Sequence, residues 1–274
     1  MSAALHNVVS HAARFSAIPR QDKATHGLHT PNEHDAALVK GANLVRRGAL
    51  EQGLAELDRA IEHDPTRWEA HFTRGEALGK LGRGDAQIEA YQAAEAALAA
   101  LRGAAGHVAS STDGTLRYVR NALGDALTAQ ARHDEACTAY ELVMRDAEGA
   151  GLPPALSRLG ACMHAVAGGL QEVHDEGERK LKECRGDASC EVAPADVGAV
   201  AKRGKRLFRT RLAAVEALAE AVALSPGRAD FVKALADYLL AADRHAESAV
   251  QFRKHAALED AALEAAVGTP PLKM

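Results

Sequence analysis

The chain carries one residue pattern twice, with Gly75 of the second copy standing 34 residues after Gly41 of the first. Glycine, leucine, a large side chain and alanine stand at matching offsets: Gly41, Leu44, Gly48, Leu57 and Ala60 in the first copy, and Gly75, Leu78, Gly82, Tyr91 and Ala94 in the second. Pro65 closes the first copy, because proline cannot continue a helix. A helical unit of this length cannot bury its apolar side alone, so the period predicts hairpins that stack on one another.

The pattern and its period resemble those of the tetratricopeptide repeat (TPR) family. The resemblance implies an all-α, right-handed solenoid of helix–turn–helix units, and weaker copies downstream bring the expected number to about six hairpins. Gly41 and Gly75 lack a side chain where the two helices of a hairpin cross, which lets those helices approach closely. Gly82 falls at the turn between helices, where a positive φ costs glycine nothing.

Repeat quality and composition divide the chain into stretches. Residues 1–33 precede the repeats and are expected to be flexible. We place two TPR repeats over residues 34–101, an insertion loop over 102–116, TPR-like hairpins three to six over 117–260 with a loop at 185–196, and a capping helix with a tail over 261–274. In this scheme Gly168-Gly169 turns the fourth hairpin, and the cluster Ser110–Gly114 interrupts the helical pattern.

Composition narrows the function classes. A net charge of −4 supplies no positive field for nucleic acid, and no apolar run reaches the ~20 residues needed to cross a bilayer. We therefore expect a soluble, cytoplasmic protein. An organellar location is the alternative if residues 1–20 act as a transit peptide, because this stretch contains Arg14 and Arg20 and no acid occurs before Asp22.

Four cysteines provide the candidate redox chemistry. Cys137 and Cys162 lie within helical patterns, where cysteine behaves as a small core residue. Cys184 and Cys190 flank five residues of an expected loop, a spacing that allows a disulfide or a redox switch. A reducing cytosol would keep the same two thiols free. Because no cysteines and histidines have the spacing of a structural zinc site, the sequence predicts no metal and no cofactor.

The most concentrated positive charge falls on one predicted helix, over residues 202–211. Helical spacing places four of its side chains on a shared face: Lys202, Lys205, Arg206 and Arg209. Such a basic amphipathic helix suits RNA or an anionic membrane surface. The solvated outer face of a solenoid helix has the same pattern, and no aromatic stacking motif accompanies it to support RNA binding.

In TPR proteins the first helix of each repeat lines a concave groove that holds extended or helical peptides. Transferred to this chain, the resemblance implies a groove lined by Asp35, Leu38, Glu69, Phe72, Glu76, Tyr118, Asn121, Asp125, Asp230, Lys233 and Asp237. Acids outnumber bases by six to one in that set, which favours a ligand with lysine or arginine and with apolar residues that contact Phe72 and Tyr118. Solvated surface acids would show the same composition.

Some TPR domains bind chaperone tails through a carboxylate clamp of lysine and asparagine. The clamp positions are occupied here by Leu38, Ala42, Thr73, Tyr118 and Ala122. The clamp is therefore absent, and no metalloprotease, hydrolase or phosphate-loop motif occurs either. The sequence predicts a non-catalytic scaffold or adaptor that binds a protein or peptide. Two alternatives stay open: a redox- or metal-responsive protein that uses Cys184 and Cys190, and a binder of anionic polymers through residues 202–211.

Overall fold

The computed structural model describes residues 33–104, 110–146, 152–185 and 194–267. Within these ranges the chain forms ten helices and no strand. The helices are α1 Glu33–Arg46, α2 Leu50–His63, α3 Trp68–Lys80, α4 Gly84–Ala104, α5 Ser110–Ala129, α6 His133–Arg145, α7 Leu152–Arg185, α8 Pro194–Leu224, α9 Ala229–Ala241 and α10 His245–Val267. Consecutive helices pair as hairpins, α1 with α2 through to α9 with α10, as the repeat pattern predicts.

The turns inside the hairpins explain why glycine recurs at one offset. Gly48 and Gly82 have φ values of +82° and +72°, in the left-handed region that side chains disfavour. Ala131 and Asp243 occupy the same place in the third and fifth hairpins, with φ values of 56° and 58°. The predicted role of Gly82 is confirmed, while two hairpins make the same turn without glycine.

The glycine in the first helix of a hairpin makes room for a large residue of the second helix. A Cβ atom added to Gly75 would lie 2.5 Å from Cε1 of Tyr91, and one added to Gly124 would lie 2.5 Å from Cε1 of Tyr140. Neither aromatic ring could keep its place beside such an atom. The close approach expected at Gly75 is therefore confirmed, and the third hairpin repeats it.

Buried apolar side chains of the described ranges form three clusters, each shared by neighbouring hairpins. The cluster between hairpins one and two contains Val45, Leu54, Leu57, Ala77, Leu78 and Ala90. The cluster of hairpins two to four includes Phe72, Tyr91, Leu116, Val119, Tyr140 and Leu159. Hairpins four and five share Leu156, Val215, Leu218, Phe231 and Leu235. Each hairpin thus buries its apolar side against its neighbours, which is the packing of a solenoid.

The fourth hairpin departs from the prediction. We expected Gly168-Gly169 to turn the chain, but α7 continues as a helix through both glycines to Arg185, and α8 carries the chain back to Leu224. Residues 152–224 make one long hairpin, so the described ranges contain five hairpins and not six. A helix tolerates glycine at a cost of about 1 kcal/mol each, and the neighbouring turns of α7 supply the packing that offsets it.

Two further boundaries were wrong. The predicted loop over 102–116 is largely helical, because α4 ends at Ala104 and α5 begins at Ser110. The Ser110–Gly114 cluster starts a helix where we expected a break, since serine and aspartate also favour helix N-termini. The predicted separate capping helix is the end of α10, which runs unbroken to Val267. Of the expected loop at 185–196, residues 186–193 lie outside the described residues, as do residues 1–32.

Cys137 of α6 and Cys162 of α7 were expected to be separate core residues. Both are buried, but they form a disulfide, with Cα atoms 5.5 Å apart, a separation typical of this bond. The bond ties hairpin three to hairpin four. Sequence spacing did not reveal it, because 25 residues separate the two cysteines and only the packing of α6 on α7 brings them together.

Candidate functional site

Side chains from the first helices of successive hairpins meet along one surface. The rings of Phe72 on α3 and Tyr118 on α5 have centroids 5.1 Å apart. Arg158 on α7 places its Nε atom 3.4 Å from the carboxylate of Asp125 on α5. These contacts follow one surface across α3, α5, α7 and α9. We call this surface the first-helix face.

The contact from α7 to α9 extends the first-helix face to the last hairpin. His164 stacks on Tyr238, with ring centroids 4.1 Å apart and planes inclined by 9°. Burial, and then the positive charge of Arg211, lowers the pKa of His164, while Asp237 acts in the opposite direction. Burial also raises the pKa of Tyr238 to about 12. A neutral imidazole packed on a phenol ring is therefore the resting state of this contact near neutral pH.

Glu76 is the acid on this face whose environment is most unusual. It lies on α3, and burial raises its pKa, while the charge of Lys80 one turn later lowers it. Tyr118 and Tyr91 lie close enough for the Glu76 charge to raise their pKa values, after the larger effect of burial. Within the described ranges neither Glu76 nor Glu69, two turns earlier on the same helix, forms an ion pair.

Asp125 differs from Glu76 because its charge is compensated. The Tyr140 hydroxyl donates a hydrogen bond of 2.6 Å to its Oδ1 atom, and the Arg158 guanidinium lies beside the same carboxylate. Burial, followed by the Asp125 charge, raises the pKa of Tyr140 and keeps that phenol protonated. Contacts from α6 and α7 thus hold the Asp125 side chain of α5 in place.

The acids of α9 are compensated as well. Arg228 donates hydrogen bonds to Asp230, the shorter one 2.6 Å long, and these bonds are the main cause of the lowered pKa of Asp230. Lys233 Nζ lies 2.9 Å from Asp237 Oδ2. The six-to-one excess of acids in the sequence therefore overstates the negative charge of this face. Among the described side chains of this set, the acids without an ion pair are Glu69 and Glu76 on α3, and the Glu76 charge acts on Tyr118.

Solved structures show the same succession of stacked hairpins. A MamA structure matches with a TM-score of 0.56 at 12% identity, covering 88% of this chain and 98% of that one. MamA from Desulfovibrio magneticus RS-1 gives 0.54 at 17% identity, with 84% and 97% covered. YrrB, described as a TPR protein with an unusual peptide-binding site, gives a TM-score of 0.53 at 15% identity, with 84% and 89% covered. The chain has the TPR fold. No protein-family model and no curated protein matches the sequence.

The predicted groove residues lie on the first helices of the hairpins, as expected for the TPR fold, but not all of them are exposed. Phe72 is only 7% exposed and packs into the core against Tyr91, so its predicted role as an open apolar anchor is corrected. Tyr118 is half-buried and retains exposed surface. Leu38 packs partly against the cluster of hairpins one and two, and the side chain of Asp35 lies outside the described ones. Tyr118 is therefore the aromatic side chain of that set which a ligand can reach.

The sequence reasoning missed the contribution of the fourth TPR hairpin. Arg158 and His164 both lie on the first-helix face, yet no residue of α7 was predicted there. Gly160 stands in α7 as Gly124 does in α5, but the offsets used for the other helices fall there on Pro154, Ser157 and Ala161. Those offsets therefore did not indicate Arg158 or His164. Asn121, which was predicted, has a buried Oδ1 atom without a hydrogen-bond partner in the described part of the chain.

The predicted basic patch lies away from the first-helix face, on α8. Lys202, Lys205 and Arg209 are exposed, and none forms an ion pair with a described residue. Arg206 lies 3.3 Å from Asp134 at the start of α6.

Among the described helices, none combines the length and hydrophobicity that a bilayer span requires.

The predicted pairing of Cys184 with Cys190 stays a prediction, because Cys190 lies outside the described residues. Cys184 lies at the end of α7 and is not a free thiol. In the ranges that the structure covers, no three His, Cys, Asp or Glu side chains are grouped so as to hold a metal ion.

Proposed function

We propose that this TPR-fold chain is a non-catalytic scaffold that binds a segment of a partner protein on the first-helix face. The segment carries an arginine or lysine that sits against Glu76 beside Tyr118. The observation that carries the proposal is the partly buried Glu76 carboxylate, which has no ion-pair partner in the described ranges. The description of YrrB as a peptide-binding TPR protein supports peptide binding for this fold.

A cationic ligand group relieves a cost that the free protein carries. Burial disfavours the charged form of Glu76, so its carboxylate is poorly solvated at neutral pH. A guanidinium placed beside it supplies charge and hydrogen bonds that water cannot supply there. The ring of Tyr118 offers a cation the face of a π system on the neighbouring helix. These two side chains favour arginine over a neutral residue of the same shape.

Replacing Glu76 by glutamine is expected to remove the preference for a positive charge. Short synthetic peptides with one arginine between leucines are compared with the same peptides in which citrulline replaces arginine. The wild-type protein should bind the arginine form about tenfold more tightly. The Glu76→Gln variant should bind both forms alike, by fluorescence anisotropy.

Glu172→Gln is the matched control, because Glu172 is exposed on α7 and also forms no ion pair with a described residue. This control should keep the full preference for arginine.

Glu76→Gln should also raise Tm at pH 7 by about 1–3 °C. The folded pKa of Glu76 lies above the unfolded value, so stability is highest below the unfolded pKa and is lost as pH rises through the folded pKa. An unchanged arginine preference in a folded Glu76→Gln variant contradicts the proposal.

A further inference from the structure

The α7–α8 hairpin is far longer than its neighbours. α7 has 34 residues and α8 has 31, whereas α6 and α9 have 13 each. In the described ranges, the three apolar clusters contain no residue between Val166 and Val215. We name residues 170–185 and 194–208 the arm. At 1.5 Å per residue the α7 part of the arm is about 24 Å long.

In the arm, the two helices lie directly on one another. A Cβ atom added to Gly177 of α7 would lie 2.7 Å from Val200 of α8, and one added to Gly204 would lie 3.0 Å from His174. These glycines leave room for the side chains of the facing helix, and Val200 and Leu207 of α8 are buried in the arm. The opposite side of α8 is left uncovered, and its surface is built from two kinds of side chain.

One strip of this uncovered side is apolar. Phe208 is 69% exposed, and Val197 and Leu212 are 45% and 38% exposed. At 3.6 residues per turn the three side chains fall within an arc of about 60°. Phe208 is therefore the centre of an apolar strip that runs along α8, from the arm to just beyond its base.

The adjoining strip is basic. Lys202, Lys205 and Arg209 fall within the next arc of about 60° and lie in water with no ion pair to a described residue. Three acids of the facing helix, Glu176, Glu178 and Glu183, pair with side chains of α7 itself. Glu176 pairs with Arg179 and Lys180. From the arm to just beyond its base, α8 thus presents three positive charges without a described ion pair beside three exposed apolar side chains.

We propose that this strip of α8 docks onto an anionic phospholipid surface, with Phe208 and Leu212 in the headgroup region and the three basic side chains on lipid phosphates. A bilayer surface suits both strips together, because lysine and arginine stay at the phosphates while apolar neighbours enter below them. Nucleic acid would use the charge but not the aliphatic side chains, since bases stack on aromatic rings. This contact lies on α8 and is independent of the Glu76 site on α3.

Vesicle co-sedimentation of the full chain tests this docking. The wild type should bind phosphatidylglycerol–phosphatidylcholine vesicles and not pure phosphatidylcholine. The K202Q/K205Q/R209Q variant should bind the anionic vesicles about 100-fold more weakly, because each basic residue near such a surface contributes independently. R47Q/R253Q/K254Q is the matched control, since it removes the same net charge from exposed positions that form no ion pair with described residues. It should bind like the wild type.

A second variant separates lipid from other anions. Phe208→Ala should weaken vesicle binding about tenfold, whereas Leu263→Ala, at a residue that is 65% exposed on α10, should not change it. Equal binding by the triple variant and the wild type overturns the proposal. The proposal is also overturned if the Phe208→Ala variant binds vesicles normally and a single-stranded oligonucleotide displaces the vesicles from it. That result would indicate a nucleic-acid surface. Glu76→Gln should leave vesicle binding intact, which keeps this test separate from the groove.

Discussion

Replacing Cys137 and Cys162 together by alanine is expected to lower the free energy of unfolding by about 3 kcal/mol, or Tm by about 5–10 °C. The disulfide closes a loop of 25 residues, and opening it returns that chain entropy to the unfolded state. Both side chains are buried between α6 and α7, so alanine also removes packed sulfur atoms. Hairpins three and four should then separate more readily than any other pair.

Thermal unfolding with and without reductant isolates this bond. Reductant should lower the Tm of the wild type much more than the Tm of the double-alanine variant. The change in the variant's Tm measures the effect of reducing the remaining cysteines. In the reduced state the two proteins should differ in unfolding temperature only by the packing of the two sulfur atoms. Equal sensitivity of both proteins to reductant would show that Cys137 and Cys162 are not bonded.

Glycine-to-alanine changes in different helices are expected to have opposite signs. The Gly168→Ala and Gly169→Ala changes together should raise the free energy of unfolding by about 1–2 kcal/mol, because alanine favours a helix interior over glycine. Both glycines are exposed inside α7, and an added Cβ atom meets nothing within 4 Å. The gain follows from the continuity of α7 and would not appear if these glycines formed a turn.

Gly124→Ala provides the contrast. The same added methyl group would lie 2.5 Å from the Tyr140 ring, and the resulting displacement should cost about 1–3 kcal/mol. Chemical denaturation of the three proteins measures both signs. A loss of stability for Gly168→Ala with Gly169→Ala would restore the predicted turn and a sixth hairpin. A neutral Gly124→Ala would show that α5 and α6 are not in close contact.

The repeat signal predicted those elements whose structure depends on local geometry. Gly82 adopts its expected positive φ, and Gly75 meets Tyr91 where the hairpin helices cross. Both are constraints between residues close in sequence, so a single chain reveals them. The stacking of hairpins one to three follows directly from these matches.

Elements decided by neighbouring hairpins were not predictable in the same way. Gly168-Gly169 has the composition of a turn, but nothing local decides between a turn and a long helix. The Cys137–Cys162 disulfide depends on the packing of α6 on α7. The Ser110–Gly114 cluster suits a loop and a helix N-terminus equally.

The sequence predicted which helices carry the site, but not which of its charges are compensated by ion pairs. The groove acids were identified from repeat offsets, but ion pairs join residues that those offsets treat separately. Arg158 compensates Asp125 and Lys233 compensates Asp237. Glu76 stands apart only once these partners are known. Phe72 shows the same limit, because offset alone does not distinguish a lining residue from a buried one.

The pH dependence of arginine-peptide affinity, measured for the wild type and for Glu76→Gln, tests the central claim most directly. Protonation of Glu76 removes the charge that holds the peptide, so wild-type affinity should fall as pH drops through the raised pKa of Glu76. This fall should begin at a higher pH than the protonation of exposed glutamates, and the variant should show no such step. Parallel pH profiles for the two proteins would contradict binding at Glu76.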